Sequence, residues 1–238
     1  MTNPEHAHRV AVITGSSQGL GAALARELDR RNWKLVLDAR DAARLDESVR
    51  TLAHAHPIAG DVTDASHRAA LAARAAELGG ASLLVNNAST LGASPQPTVA
   101  ELVPEVLDDA FRTNVLAPVE LVRALLPQLR DTGGTVLNIS SDAAVEGYPG
   151  WGAYGASKAA LDQVSRVLGA EEASLRVYAV DPGDMRTRMH QEAFPGEDIS
   201  DRPPPEDVVP HLVALLDSDL PSGRYRAADI AVPAGAGR

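Results

Sequence analysis

Tyr154 and Lys158 stand four residues apart in a segment read as a helix, residues 153–173, so their side chains share one helix face. The pairing has a specific chemical use. A free phenol titrates near pH ~10, too high for efficient proton transfer at neutral pH, and a nearby ammonium favours the phenolate. On their own, a tyrosine and a lysine at this spacing are more often a half-buried aromatic beside a solvated charge. A second chemical feature lies upstream. Thr14-Gly15-Ser16-Ser17-Gln18-Gly19-Leu20-Gly21 follows a short apolar run and opens a helical pattern. Glycines there permit a tight turn and a close backbone approach to a pyrophosphate, and the helix N-terminus adds free amides and partial positive charge. A ligand-free glycine turn is the plain alternative, but the strand–loop–helix context favours the phosphate reading.

The elements that must position these residues alternate along the chain. Short apolar runs at residues 9–14, 34–38, 57–60, 82–86, 135–140 and 175–180 read as strands. Helical patterns fill residues 20–31, a stretch from Asp41, an Ala-rich stretch capped by Asp64, residues 99–129 and residues 153–173. Strands alternating with helices give an α/β Rossmann fold: a doubly wound parallel sheet of about seven strands with helices on both faces. The strands' carboxyl ends then line one edge, where ligands bind. Past Pro182 the pattern weakens. Residues 186–204 read as a lid, residues 206–216 as a helix, residues 223–226 as a last strand, and residues 229–238 as a tail that frays, most clearly from Val232. No internal repeat or linker divides the chain, so residues 1–238 read as one domain.

The glycine spacing TGxxxGxG resembles the short-chain dehydrogenase/reductase (SDR) family, and later segments agree in order and interval over about residues 9–190. Asp61-Val62 resembles the family's adenine-contacting pair. Asn86-Asn87-Ala88-Ser89 resembles its NNAG motif, with Ser89 in place of the last glycine. Tyr154 and Lys158 match YxxxK, with Ser141 thirteen positions before the tyrosine. Pro182-Gly183 and Thr187 resemble its PGxxxT motif. The resemblance implies a nicotinamide-dependent oxidoreductase acting on a small carbonyl or alcohol. Tyr154 is then the acid/base, Lys158 lowers its pKa and bonds the nicotinamide ribose, Ser141 holds the substrate oxygen, and Asn114 supports a water relay. Ser140 becomes a strand-end hydrogen-bonder. The cofactor contacts implied are Thr14, Gly15, Ser17, Gln18, Gly19, Leu20, Gly21, Arg40, Asp61, Val62, Asn87, Ala88, Ser89, Tyr154, Lys158, Pro182, Gly183 and Thr187, with no metal.

The end of the second strand bears on the choice of nicotinamide. Asp38 lies near the distance at which an acid bonds the NAD ribose, which leaves NAD(H) open. Aligned to the family, the discriminating position falls on Ala39, followed by Arg40, whose planar fork suits a 2′-phosphate and favours NADP(H). A solvated Arg40 paired with Asp41 is the alternative. Gln18 stands where many NADP-using members carry a second basic residue.

Other departures concern the substrate end. Asp184 and Met185 replace aliphatic residues common among relatives. Glu146 is expected to face solvent, Tyr148 and Trp151 sit beside the pocket, and Met189 and Phe194 belong to the lid. The Gly/Ala-rich end lacks the apolar tail of many tetrameric relatives. A homodimer through residues 99–129 and 153–173 is therefore expected, with a homotetramer open. Acidic residues outnumber basic ones by 32 to 22, which disfavours nucleic acid. The chain has no cysteine, which excludes disulfides and cysteine-bound zinc. No apolar run approaches the ~18 residues of a membrane span and residues 1–9 lack a secretory core, so a cytoplasmic enzyme is expected. A dinucleotide sensor without catalysis, and a lyase or epimerase on the same scaffold, are the competing functions.

Overall fold

Apolar runs too short for helices and rich in Val and Leu build the centre of the molecule. The computed structural model describes residues 9–233, so the tail expected to fray lies, beyond residue 233, outside the described residues. Seven strands form one parallel sheet: β1 (Val10–Ile13), β2 (Lys34–Ala39), β3 (Ala55–Ala59), β4 (Leu83–Asn86), β5 (Thr135–Ile139), β6 (Arg176–Asp181) and β7 (Gly223–Arg226). Their order is β3-β2-β1-β4-β5-β6-β7. The third strand starts two residues earlier than its apolar run suggests, because Ala55 and His56 pair with Leu35 and Val36.

Strands β1, β4 and β5 are buried along their whole length, as parallel strands covered on both faces must be. Side chains alternate between two layers. Leu35, Leu37 and Ala39 of β2 pack with Leu24 and Leu28 of α1 (Gly19–Arg30) and Leu212 of α8 (Val209–Leu216). Val36 faces the other way, onto Leu71 of α3 (Ala65–Glu77) and Leu121 and Leu125 of α5 (Ala117–Thr132). The chain winds one way from β1 to β3 and the other way from β4 to β7. This leaves a crevice beyond the carboxyl ends of β1 and β4.

Four local expectations need correction. The helix expected over residues 99–129 begins at Pro104 as α4 (Pro104–Phe111), because proline fixes the first helical residue and needs no N–H partner there. It then opens into a π turn, Arg112–Leu116, before resuming as α5. The helix expected from Glu206 starts instead as a 3-10 turn, Pro205–Asp207, and becomes α-helical only at Val209, next to Pro210. Asp64 occupies the N-cap position of α3, but its side chain makes no cap hydrogen bond. Ile230, within the stretch expected to fray, is buried, and its carbonyl lies 2.8 Å from His211 Nδ1. Helices α2 (Ala42–Val49), α6 (Gly152–Glu171) and α7 (Arg188–Ala193) complete the layers. No helix among the described residues is long and apolar enough to cross a membrane.

Candidate active site

The glycine loop leaves β1 in a conformation most side chains avoid. Gly15 has φ +65° and Gly19 φ +58°. A side chain at Gly15 would place its Cβ 2.9 Å from Ala88 Cα. A Cβ at Gly21 would stand 2.5 Å from the Gly15 carbonyl oxygen, so both glycines let α1 and the loop close on the end of β4. Ser16 fastens the loop to β2, its N–H and hydroxyl both donating to the Asp38 carbonyl at 2.8 and 3.0 Å. Asn87 fastens it to β4, with Nδ2 donating to the carbonyls of Thr14 and Gly15. Thr14 Oγ1 accepts the N–H groups of Asn87 and Ala88, each at 3.0 Å. At the N-terminus of α1, Gln18 makes no side-chain cap and the first turn carries no acid. The exposed amide end of that helix therefore fits an anionic group such as a dinucleotide pyrophosphate.

A cleft of about 400 Å³ runs from this loop to the end of β5. Gly15, Ser17, Gln18, Gly19 and Leu20 border its middle. Arg40, Asp61 and Val62 close one end, and Ser141, Tyr154 and Lys158 the other. Asn87, Ala88 and Ser89 follow β4; Pro182 and Gly183 follow β6, and Thr187 caps the next helix. Three expected site residues do not line it: Thr14, Gly21 and Asn114 brace the walls from behind.

The Tyr154 phenol is buried, with the Ser141 and Ser89 hydroxyls beside it. Burial pushes its pKa up, those two hydroxyls oppose the rise, and the nearby Asp142 and Asp181 carboxylates add to it. Lys158 Nζ lies 5.5 Å from the Tyr154 ring centroid and donates to the Ile139 carbonyl at 2.7 Å. Burial lowers its pKa to about 8, against the pull of Asp162. Burial is the largest influence on the phenol. Ser141 Oγ donates to Asp142 Oδ1 at 2.9 Å and accepts the Ala143 N–H. Ser140, expected to hydrogen-bond at the strand end, has a hydroxyl without a partner among the described residues.

Asn114 sits in the π turn between α4 and α5, a helix irregularity often found at functional sites. Its Oδ1 accepts from Ser89 Oγ and the Thr90 N–H, and its Nδ2 donates to the Thr90 carbonyl and Ser157 Oγ, all at 2.9–3.0 Å. Ser89 therefore joins Asn114 to Tyr154, which a glycine could not do. Glu146 is exposed, as expected, and Tyr148 reaches Asp142 at 3.0 Å. Trp151 packs edge-on against Tyr154 with centroids 5.6 Å apart and touches Phe194 at the end of α7. Arg224 was missed by the sequence reading. It donates to the Ser141 carbonyl at 2.9 Å and pairs with Asp162 at 2.8 Å. Only the fold brings it there, across 83 residues of chain. Asp142 could have been noticed beside Ser141; its position after the serine was the signal.

At the far end, Asp38 does not face the cleft freely: His67 Nε2 lies 2.7 Å from its Oδ1. Arg40 makes no salt bridge among the described residues, because Asp41 pairs with Arg44 at 3.3 Å instead.

Comparison with known proteins agrees with this geometry. A model of the short chain dehydrogenase family matches residues 9–198. The chain is 36% identical over 183 residues to serine 3-dehydrogenase of Agrobacterium fabrum, covering 75% of this chain and 72% of that one. A short chain dehydrogenase structure from Pseudomonas syringae superposes with a TM-score of 0.86 at 30% identity, covering 95% of this chain and 98% of that chain. One from Shigella flexneri, complexed with NADP, gives 0.85 at 28% identity over 92% of this chain and 97% of that chain. With the glycine loop, the crevice and the seven-stranded order in place, the matched segment leaves one conclusion: the chain belongs to the short-chain dehydrogenase/reductase family of NAD(P)-dependent oxidoreductases.

Proposed function

We propose that this oxidoreductase interconverts a small carbonyl compound and its alcohol, with NADP(H) favoured over NAD(H). The observation that carries the reading is the buried Tyr154 phenol, bracketed by Ser141 and Ser89, at one end of the cleft that holds the glycine loop. When bound, the nicotinamide supplies or receives the hydride. Gly15, Ser17, Gln18, Gly19 and Leu20 would hold the pyrophosphate, and Asp61 and Val62 the adenine. Asn87, Ala88, Ser89, Pro182, Gly183 and Thr187 would hold the nicotinamide end. Arg40 would face the 2′-phosphate, which its freedom from ion pairing supports, as does the NADP complex of the Shigella flexneri neighbour.

In reduction, Tyr154 gives its phenolic proton to the substrate oxygen. Its raised pKa keeps the proton in place at neutral pH until transfer. Ser141 orients the oxygen by turning its hydroxyl proton from Asp142 to the substrate. Lys158 supplies positive charge beside the phenolate that develops. Asn114 holds Ser89 and the π turn behind the pair. An apolar strip on α5 and α6, including Val122, Val164 and Val167, fits the homodimer face expected from the sequence.

The lysine gives a pH signature. With its pKa at about 8, Lys158 is charged below that pH and neutral above it. The kcat/KM for carbonyl reduction is therefore expected to fall as pH rises through 8, and a profile flat from pH 6 to 10 would contradict the role assigned to Lys158. The reading as a whole is tested by following the loss of reduced-nicotinamide absorbance with NADPH and NADH across aldehydes, ketones, diketones and quinones. Turnover with NADPH above NADH is expected, and Arg40→Ala is expected to remove most of that preference. Nucleotide binding without turnover of any substrate would instead favour the sensor.

A further inference from the structure

Asp38 is the acid at the end of β2, the place from which a Rossmann carboxylate accepts the ribose 2′-hydroxyl of NAD. Strand alternation sets it on the face of Val36, toward α3, where His67 meets it at 2.7 Å with both side chains buried. The Gly15 N–H lies beside its carboxyl and favours the charged form. Room for the imidazole comes from Gly60, where any Cβ would overlap the His67 ring. The reaction makes no use of this buried pair.

We propose that His67 is a positioning residue for cofactor choice. By clasping the Asp38 carboxylate against α3, it keeps that charge from the adenosine ribose corner and so selects a nucleotide bearing a 2′-phosphate over one with a free 2′-hydroxyl. The inference rests on the reading that Arg40 faces the 2′-phosphate.

The charges around the corner explain the effect. Arg40 is its cation without an ion pair among the described residues, since Arg44 is engaged by Asp41. Asp61 lies across from Asp38, its pKa held down by the Thr63 N–H and hydroxyl and by the charges of Arg40 and His67. Burial pushes the Asp38 carboxyl up, and His67 opposes that most strongly. Without the imidazole, two carboxylates would face each other beside one arginine. Asp61 would repel the freed Asp38, which already borders the cleft. There the carboxylate would accept a ribose 2′-hydroxyl and repel a 2′-phosphate, the reverse of what Arg40 favours.

Calorimetric titration of the full chain with adenosine 2′,5′-bisphosphate and adenosine 5′-monophosphate reads this directly, without turnover. The wild type should bind the bisphosphate more tightly. His67→Leu should lower the ratio of the two affinities by roughly tenfold, mainly by weakening the bisphosphate. His67→Gln, which keeps an N–H to offer Asp38, should retain most of the ratio. Adding Asp38→Asn to His67→Leu should restore it. Should His67→Leu not fold, Gly60→Ala displaces the ring without deleting it and should lower the ratio in the same direction. Equal weakening of both nucleotides, or an unchanged ratio in the Leu and Gly60 variants, would overturn the proposal and leave His67 a packing residue. A wild type that binds both nucleotides equally would instead sink the Arg40 reading.

Discussion

Tyr154→Phe is expected to lower kcat by about 10²–10⁴-fold, the range of a lost general acid/base, with nucleotide affinity nearly unchanged. The substitution removes one hydroxyl and keeps the ring against Trp151. It strands neither neighbouring hydroxyl, because Ser141 still donates to Asp142 and Ser89 to Asn114. The stability cost should therefore stay at about 1 kcal/mol, within the usual value of a single hydrogen bond. Steady-state kinetics beside a nucleotide titration separates the two effects. Activity persisting within a few-fold of wild type would remove Tyr154 from the mechanism, whatever the fold.

Asn114→Leu is expected to be the most damaging change in stability among the site residues. The side chains are of similar size, so the change removes polarity more than volume. The Thr90 N–H, the Thr90 carbonyl and the hydroxyls of Ser89 and Ser157 would all lose a partner at once. Ser157 can still donate to the Tyr154 carbonyl, which softens the loss there. A fully buried group left unpaired costs about 1–3 kcal/mol; three of these four contacts are only partly buried, so a total of about 2–4 kcal/mol is expected. Urea unfolding measures it, with Ser157→Ala as the control that removes one contact of the four. A loss below about 1 kcal/mol would mean that the π turn is held by its backbone and not by Asn114. Activity should fall as well, since Ser89 would no longer be anchored behind Tyr154.

The two variants bracket the site. Tyr154 does chemistry on a rigid support, and Asn114 is part of the support. The π turn explains why the support is placed where it is. An uninterrupted helix over residues 104–132 would carry residue 114 at a different angle, and nothing in the local residue types requires the extra residue in that turn. It forms where the Asn114 side chain can satisfy Thr90, 24 residues earlier, and Ser157, 43 residues later.

Local sequence determined much of this protein. Short runs rich in Val, Leu and Ala marked the strands, because a strand covered on both faces is mostly apolar. The glycine loop was legible because positive φ and close approach leave few other residues to choose. Tyr154 and Lys158 were legible because four residues are one helical turn. Tertiary structure decided the rest. It sent Asp38 toward His67, 29 residues away, a pairing no spacing rule links, while Asp41 took the i,i+3 partner Arg44. It placed Thr14 and Gly21 behind the cleft wall, brought Arg224 beneath Ser141, and buried Tyr154 deeply enough that desolvation pushes its pKa up. Spacing along the chain tells which groups can share a helix face. Only the packed fold decides how much water each group keeps and which distant partner it meets, and those two quantities set its charge and its role.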